Sequence, residues 1–150
     1  MRILVINPNI SESVTSLIAA ESQRAASSGT QLSFATAQIG VAYIETRFEA
    51  LVGGYACATI AAEKAGSYDG IVVAAFGDPG LLALKELCDV PVVGMTEAAL
   101  ASAALLGQRF SIIAISRRIK AWYLECVERI HLTTRLASIR SADNPLADLA

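Results

Sequence analysis

The stretch VVAAFGDPG, residues 72–80, joins an apolar run directly to a tight turn of Phe76, Gly77, Asp78, Pro79 and Gly80. Val72, Val73, Ala74 and Ala75 read as a strand of a buried parallel sheet, whose strands lack polar alternation. Asp78 stands where a helix N-cap belongs and Pro79 at the first helical position, so the turn is expected to open a helix. A strand that feeds a helix at once is half of a βα unit. In open α/β sheets, ligands bind just beyond the carboxyl ends of the strands. Alanine, phenylalanine and glycine transfer no protons, so the tip of this turn offers a shape without an acid or base.

Working outward, the same alternation recurs. Arg2 to Ile6 reads as a strand, followed by a helix capped by Asn9, with Glu12 completing a capping box. That helix carries Val14, Leu17, Ile18 and Ala25 on its expected apolar face. Leu32 to Ala37 is a second strand, QIGVAYIET (38–46) a loop, and Ala50 to Lys64 a helix weakened by Gly53 and Gly54. Gly70 to Ala75, Val90 to Val93, Phe110 to Ile115 and Leu136 to Ile139 are further strands. Between them lie helices over Leu81 to Leu87 and over EAALASAALL (97–106), the latter capped by Thr96 and closed by Gly107. Ser116 caps a last helix, which buries Ile119, Trp122, Cys126, Val127 and Ile130. The pattern is α/β, a parallel sheet of βα repeats. The tail ADNPLADLA (142–150) brings no closing element, so the chain reads as truncated, the alternative being a sheet closed by oligomerisation.

With 150 residues, one domain is the default, and such a chain buries about 70% of its unfolded surface. Twelve Lys and Arg against 14 Asp and Glu leave a net charge of −2 and no basic stripe, which argues against a nucleic-acid partner. The N-terminal apolar run ends at Asn7 and Pro8, too short for a signal peptide, and no stretch approaches a membrane span; the expected location is cytoplasmic. Cys57, Cys88 and Cys126 are unclustered and odd in number, which fits buried thiols better than disulfides or a zinc site. No G-x-G-x-x-G follows the first strand and no P-loop occurs. The single histidine, His131, falls near a helix end, where it suits the helix dipole, and Trp122 and Tyr123 read as core and boundary residues.

Three loops follow strand ends: NPNIS (7–11), FGDPG (76–80) and GMTEAA (94–99). In a parallel sheet they share one edge. Asn7, Asn9, Ala75, Phe76, Gly77, Met95 and Thr96 are therefore expected to line a single concavity, with helix-start N–H groups ready for an anion or oxyanion. The plainer reading is that Asn9, Asp78 and Thr96 only cap their helices.

These loops, in this order, resemble the hydantoin racemase family of the aspartate/glutamate racemase superfamily. The resemblance rests on ILVINPNIS (3–11), YIET (43–46), AAFGDPGL (74–81) and PVVGMTEAA (91–99). It implies two similar α/β lobes with a cleft between them, divided here as residues 1–94 and the start of a second lobe at 95–150. It implies racemisation of a carbon next to a carbonyl without metal, pyridoxal phosphate or nucleotide cofactor. Two cysteines, one per lobe, exchange protons on opposite faces of the substrate. Carried over, the resemblance assigns binding of a small-molecule substrate to Asn7, Asn9, Tyr43, Phe76, Gly77, Met95 and Thr96, and it is compatible with a homo-oligomer. By the resemblance, Ala75 occupies the position of the first family cysteine, and the second is expected at a later strand end of the second lobe, which the 150 residues do not reach. None of the three cysteines present takes either place. Glu97 is a weak replacement base, because a helix N-terminus lowers a carboxylate's pKa. An impaired racemase, a silent binder of a ureide or carboxylate, and a relative like arylmalonate decarboxylase, which needs only the second cysteine, all remain open.

Overall fold

Leu4, Val5 and Ile6 are consecutive and all buried, which requires cover on both faces of their strand. In the computed structural model, which describes residues 1–142, that strand is β1 (Arg2–Asn7) at the interior of a four-stranded parallel sheet. The sheet order is β2 (Gln31–Thr36), β1, β3 (Gly70–Val73), β4 (Val92–Gly94). Ile6 pairs with Ala35 on one side and Val73 on the other, and Val73 pairs with Gly94, so the strand ends stand level along one edge. Helices α1 (Glu12–Ala25), α2 (Arg47–Lys64) and α3 (Leu81–Leu87) make the connections, and α4 (Met95–Leu106) leads away from β4. A second parallel pair, β5 (Phe110–Ala114) with β6 (Leu136–Ser141), flanks α5 (Lys120–Arg129). The expected α/β architecture with parallel strands is present.

Two apolar cores result. One gathers Leu4, Ile6, Ile71, Val73, Leu81 and Leu84; the other gathers Leu100, Ile112, Ala114, Ile119, Tyr123 and Val127. Strand β1 of the first sheet is covered on both faces. In β5, by contrast, Ile112 and Ala114 are buried while Ile113 is 78% exposed, so only one face of that strand is covered among the described residues.

Several local expectations need correction. Ser11, not Asn9, caps α1, accepting from the Val14 N–H, and Glu12 instead accepts from the Thr36 hydroxyl. The apolar face of α1 is not the expected one: Thr15 is buried, Leu17 and Ala25 are exposed, and Val14 and Ile18 are half-buried. Helix α2 starts at Arg47, behind a capping box of Thr46 and Glu49 that the loop reading of YIET hid. Strand β3 ends at Val73, short of Ala75. Asp78 does not cap α3; Gly80, at φ +75°, precedes that helix. Thr96 lies inside α4, behind Gly94 as the N-cap. The tail's lack of a closing element concerns residues 143–150, which lie outside the described ones.

Gly53 and Gly54 gain a reason from the packing. A Cβ on Gly53 would approach the Pro8 carbonyl oxygen to 3.0 Å, and one on Gly54 would approach the Gly80 nitrogen to 2.9 Å. Both glycines are buried. A pair of residues that costs helix propensity, about 1 kcal/mol each, lets the loops after β1 and β3 rest directly on α2. Among the described residues, no helix is long and apolar enough to cross a membrane.

Candidate functional site

The loops after β1 and β3 meet beyond the carboxyl ends of their strands, as the parallel topology requires. A cavity of about 560 Å³ opens there, lined on one side by Asn9, Tyr43, Ile44, Ala75 and Phe76. Its other wall comes from α4, β5 and α5, through Leu100, Phe110, Ile112 and Tyr123 among others. Phe76 meets Tyr123 edge-on, with ring centroids 4.7 Å apart.

Asn7 lies behind this wall. It is 1% exposed, and its Nδ2 donates to Asn9 Oδ1 at 2.9 Å and to Thr15 Oγ1 at 2.9 Å. Asn9 Oδ1 also accepts from the Ser11 N–H at 2.9 Å. With its oxygen engaged twice, Asn9 is left with its NH₂ group for the cavity, a donor and not an acceptor. Thr15 continues the network to the Thr36 hydroxyl at 2.8 Å. Glu49 ties down the neighbouring loop, accepting from the N–H groups of Glu45 and Thr46 at 2.7 and 2.8 Å. That loop carries Tyr43 and Ile44 into the cavity. The signal was present in T-x-x-E at 46–49.

The FGDPG turn is held from two sides. The Gly77 N–H donates to Thr96 Oγ1 at 2.5 Å, and the N–H groups of Thr96 and Glu97 donate to the Asp78 carboxylate at 2.7 and 3.0 Å. Asp78 thus supplies the side-chain acceptor that the N-cap Gly94 of α4 lacks, reaching across from another loop. Glu97 completes the reciprocal half by accepting from the Gly94 N–H at 3.1 Å, and its other contact is Lys85 at 2.8 Å. Burial, the largest influence, raises the Asp78 pKa, against the Thr96 and Glu97 hydrogen bonds and the Arg129 charge that lower it.

Of the residues expected in one concavity, Asn9, Tyr43, Ala75 and Phe76 line it. Asn7 and Thr96 are buried supports, Met95 is exposed and not part of the lining, and Gly77 borders a separate hollow of about 340 Å³ between the turn and α5. The expected anion-binding N–H groups of Gly77, Thr96 and Glu97 are consumed inside the protein. Those of Ala75 and Phe76 donate to no acceptor among the described residues. The polar equipment facing a ligand is therefore the Asn9 amide, these two N–H groups, Ser111 and the phenols of Tyr43 and Tyr123.

Among the described residues, no carboxylate, thiol, imidazole or amine lines the cavity. Burial pushes the Tyr123 phenol up to about 12. His131 is exposed and closes α5 in the left-handed conformation, at φ +59°. Trp122 packs its indole against Gly77 from the rear, a contact that helical spacing alone did not show.

The thiols are also elsewhere. Burial raises Cys57 to about 12 and Cys126 to about 11, while Cys88 is half-buried and raised less far. Iodoacetamide at pH 8 is expected to label Cys88 first, with Cys57 and Cys126 at least about ten-fold slower because thiolate is the reactive form. Peptide mass spectrometry after timed quenching reads the order, and equal native rates would contradict the buried placement.

The comparisons agree with this geometry. The chain is 42% identical over 142 residues to a hydantoin racemase of Paenarthrobacter aurescens, covering 93% of this chain and 60% of the relative. It is 33% identical over 151 residues to a hydantoin racemase of Pseudomonas sp. (strain NS671), covering 99% of this chain and 60% of that one. Among solved structures, an allantoin racemase from Klebsiella pneumoniae superposes with a TM-score of 0.96 at 33% identity, covering 99% of this chain and 61% of its own. An allantoin racemase from Pseudomonas fluorescens gives 0.95 at 32% identity, covering 99% and 63%. The chain spans about 60% of the length of the curated relatives it matches. With the family profile matching residues 3–148 and the loops arranged as described, the chain belongs to the Asp/Glu/hydantoin racemase family.

Proposed function

We propose that the chain binds a small cyclic ureide of the hydantoin type, or a related amino-acid-like carbonyl compound, and that its proton transfer is impaired at the first thiol position. One observation carries the reading: Ala75, which the resemblance sets at the family's first cysteine, forms part of the cavity wall, and no carboxylate, thiol, imidazole or amine among the described residues lines it. Asn9 and the N–H groups of Ala75 and Phe76 are donors matched to ring carbonyl oxygens. The same donors stabilise the enolate-like charge that develops when a proton leaves the carbon next to the carbonyl. No step in such binding calls on a metal or an organic cofactor. The division into a first lobe at 1–94 and the start of a second at 95–150 belongs to the same reading, supported by the two separate sheets.

The test is incubation with allantoin in deuterated water. Amide signals of Asn9, Ala75 and Phe76 are expected to shift on titration, with no deuterium uptake at the substrate carbon above the protein-free rate. Protein-dependent uptake would show that another group acts as base. Unmoved signals at all three residues would remove the cavity as the binding site.

A further inference from the structure

Helix α5 presents Trp122, Cys126 and Arg129 to the back of the FGDPG turn, spaced so that they share one helix face. The Trp122 indole lies against Gly77, and Cys126 Sγ donates to the Gly77 carbonyl oxygen at 3.6 Å. Arg129 Nη2 stands 3.4 Å from Asp78 Oδ2; the Asp78 side chain is 0% exposed and that of Arg129 30%. The same carboxylate takes the Thr96 and Glu97 N–H groups, and Thr96 Oγ1 takes the Gly77 N–H. A continuous path of polar contacts therefore runs from α5, through Asp78 and the start of α4, into the turn that carries Ala75 and Phe76.

A buried carboxylate holding two backbone donors needs compensation for its charge. Arg129 is the cation that supplies it. Without the guanidinium, Asp78 either takes up a proton or moves toward water, and both outcomes loosen its hold on Thr96. Thr96 then ceases to fix the Gly77 peptide, which is covalently next to Phe76. We infer that Arg129 is a positioning residue: through Asp78 and Thr96 it orients the Ala75 and Phe76 N–H groups, so that α5 tunes the affinity of a cavity whose polar wall lies in front of it. The consequence for affinity rests on the proposed ligand reading; the consequence for the turn does not.

Three variants separate this role from simple support of α5. Arg129→Met keeps the stem and removes the charge. Arg129→Lys keeps the charge. Glu125→Gln weakens the other ion pair of α5, which joins Glu125 to Arg47 at 2.5 Å and leaves Asp78 untouched. Amide hydrogen exchange and ¹⁵N–¹H spectra are recorded on ligand-free protein, followed by allantoin titration. In R129M the Gly77, Thr96 and Glu97 amides are expected to exchange at least about ten-fold faster, the order expected for a lost charge-assisted hydrogen bond. The Ala75 and Phe76 signals move, allantoin affinity falls by a similar factor, R129K recovers part of the loss, and E125Q leaves the turn unchanged.

Turn amides at wild-type protection in R129M, or loosened equally in E125Q, would overturn the inference. If R129M does not fold, Arg129→Gln, which removes the charge and keeps a polar side chain, takes its place: turn amides faster than the neighbouring α5 amides support the role, and unchanged turn amides overturn it. Turn amides that respond to R129M in a protein that ignores allantoin would sink the ligand reading while leaving the positioning of the turn intact.

Discussion

Gly94→Ala is expected to lower the stability of the chain by about 3–5 kcal/mol, the range for breaking a buried charge pair. Nothing in the backbone demands glycine there, since φ is −88°. The demand is spatial: a Cβ on Gly94 would fall on the Asp78 carboxylate. Asp78 is wholly buried between the turn and α4, and it leaves that place only by giving up the Thr96 and Glu97 N–H groups. Expelling it strands the N–H groups of Thr96 and Glu97 and leaves Arg129 facing no carboxylate. Each unsatisfied buried donor costs about 1–3 kcal/mol. Gly66→Ala is the matched control, because a Cβ there meets nothing within 4 Å. Its expected effect is about 0.5 kcal/mol or less, toward stabilisation, through the unfolded chain. Urea denaturation of both variants compares them, and a G94A protein as stable as G66A would show that Asp78 has another seat.

Ala75→Cys is the second large effect: a gain of about 10²–10⁴-fold in exchange of the proton on the carbon next to the carbonyl, the usual contribution of one positioned acid–base group. Residue 75 is half-buried, lines the cavity and adjoins N–H groups that have no acceptor among the described residues. Helix α3 begins only at Leu81, and no cation among the described residues lines the cavity, so the introduced thiol keeps a pKa near the ordinary 8.5 and not the neutral value that a helix start at Pro79 would imply. Exchange is therefore expected to rise with pH up to that range, as the thiolate forms. Inversion lags behind exchange, because no second thiol faces the opposite side among the described residues. Deuterium uptake by NMR and optical rotation, followed on one sample, separate the two rates. Iodoacetamide labelling at position 75 no faster than at Cys126 would place the side chain outside the cavity.

How far these sites were legible depends on the range of the interaction that sets them. The apolar run at Leu4 to Ile6 and the run before FGDPG announce buried parallel strands, because burial on both faces demands apolar residues without alternation. Convergence of the loops follows from that topology alone, which is why Asn9, Ala75 and Phe76 were placed correctly on one wall. The capping box at Thr46 and Glu49 was equally local and could have been read. Leu17 could not: helical periodicity names an apolar stripe, but neighbouring elements decide which side is covered, and here Thr15 faces the Asn7 network instead.

Asp78 marks the boundary most sharply. By local rule it caps the helix that follows it, yet its acceptor oxygens serve N–H groups 18 and 19 residues later. Gly94 looks dispensable until that carboxylate occupies the place of its side chain. The sequence by itself determined the strand and helix order and the shared loop edge, since each depends on neighbours along the chain. Only the tertiary structure decided which donors remain for a ligand. Hydrogen bonds saturate, and the partners that saturate Gly77, Thr96 and Glu97 come from elements brought together by packing, not by sequence proximity.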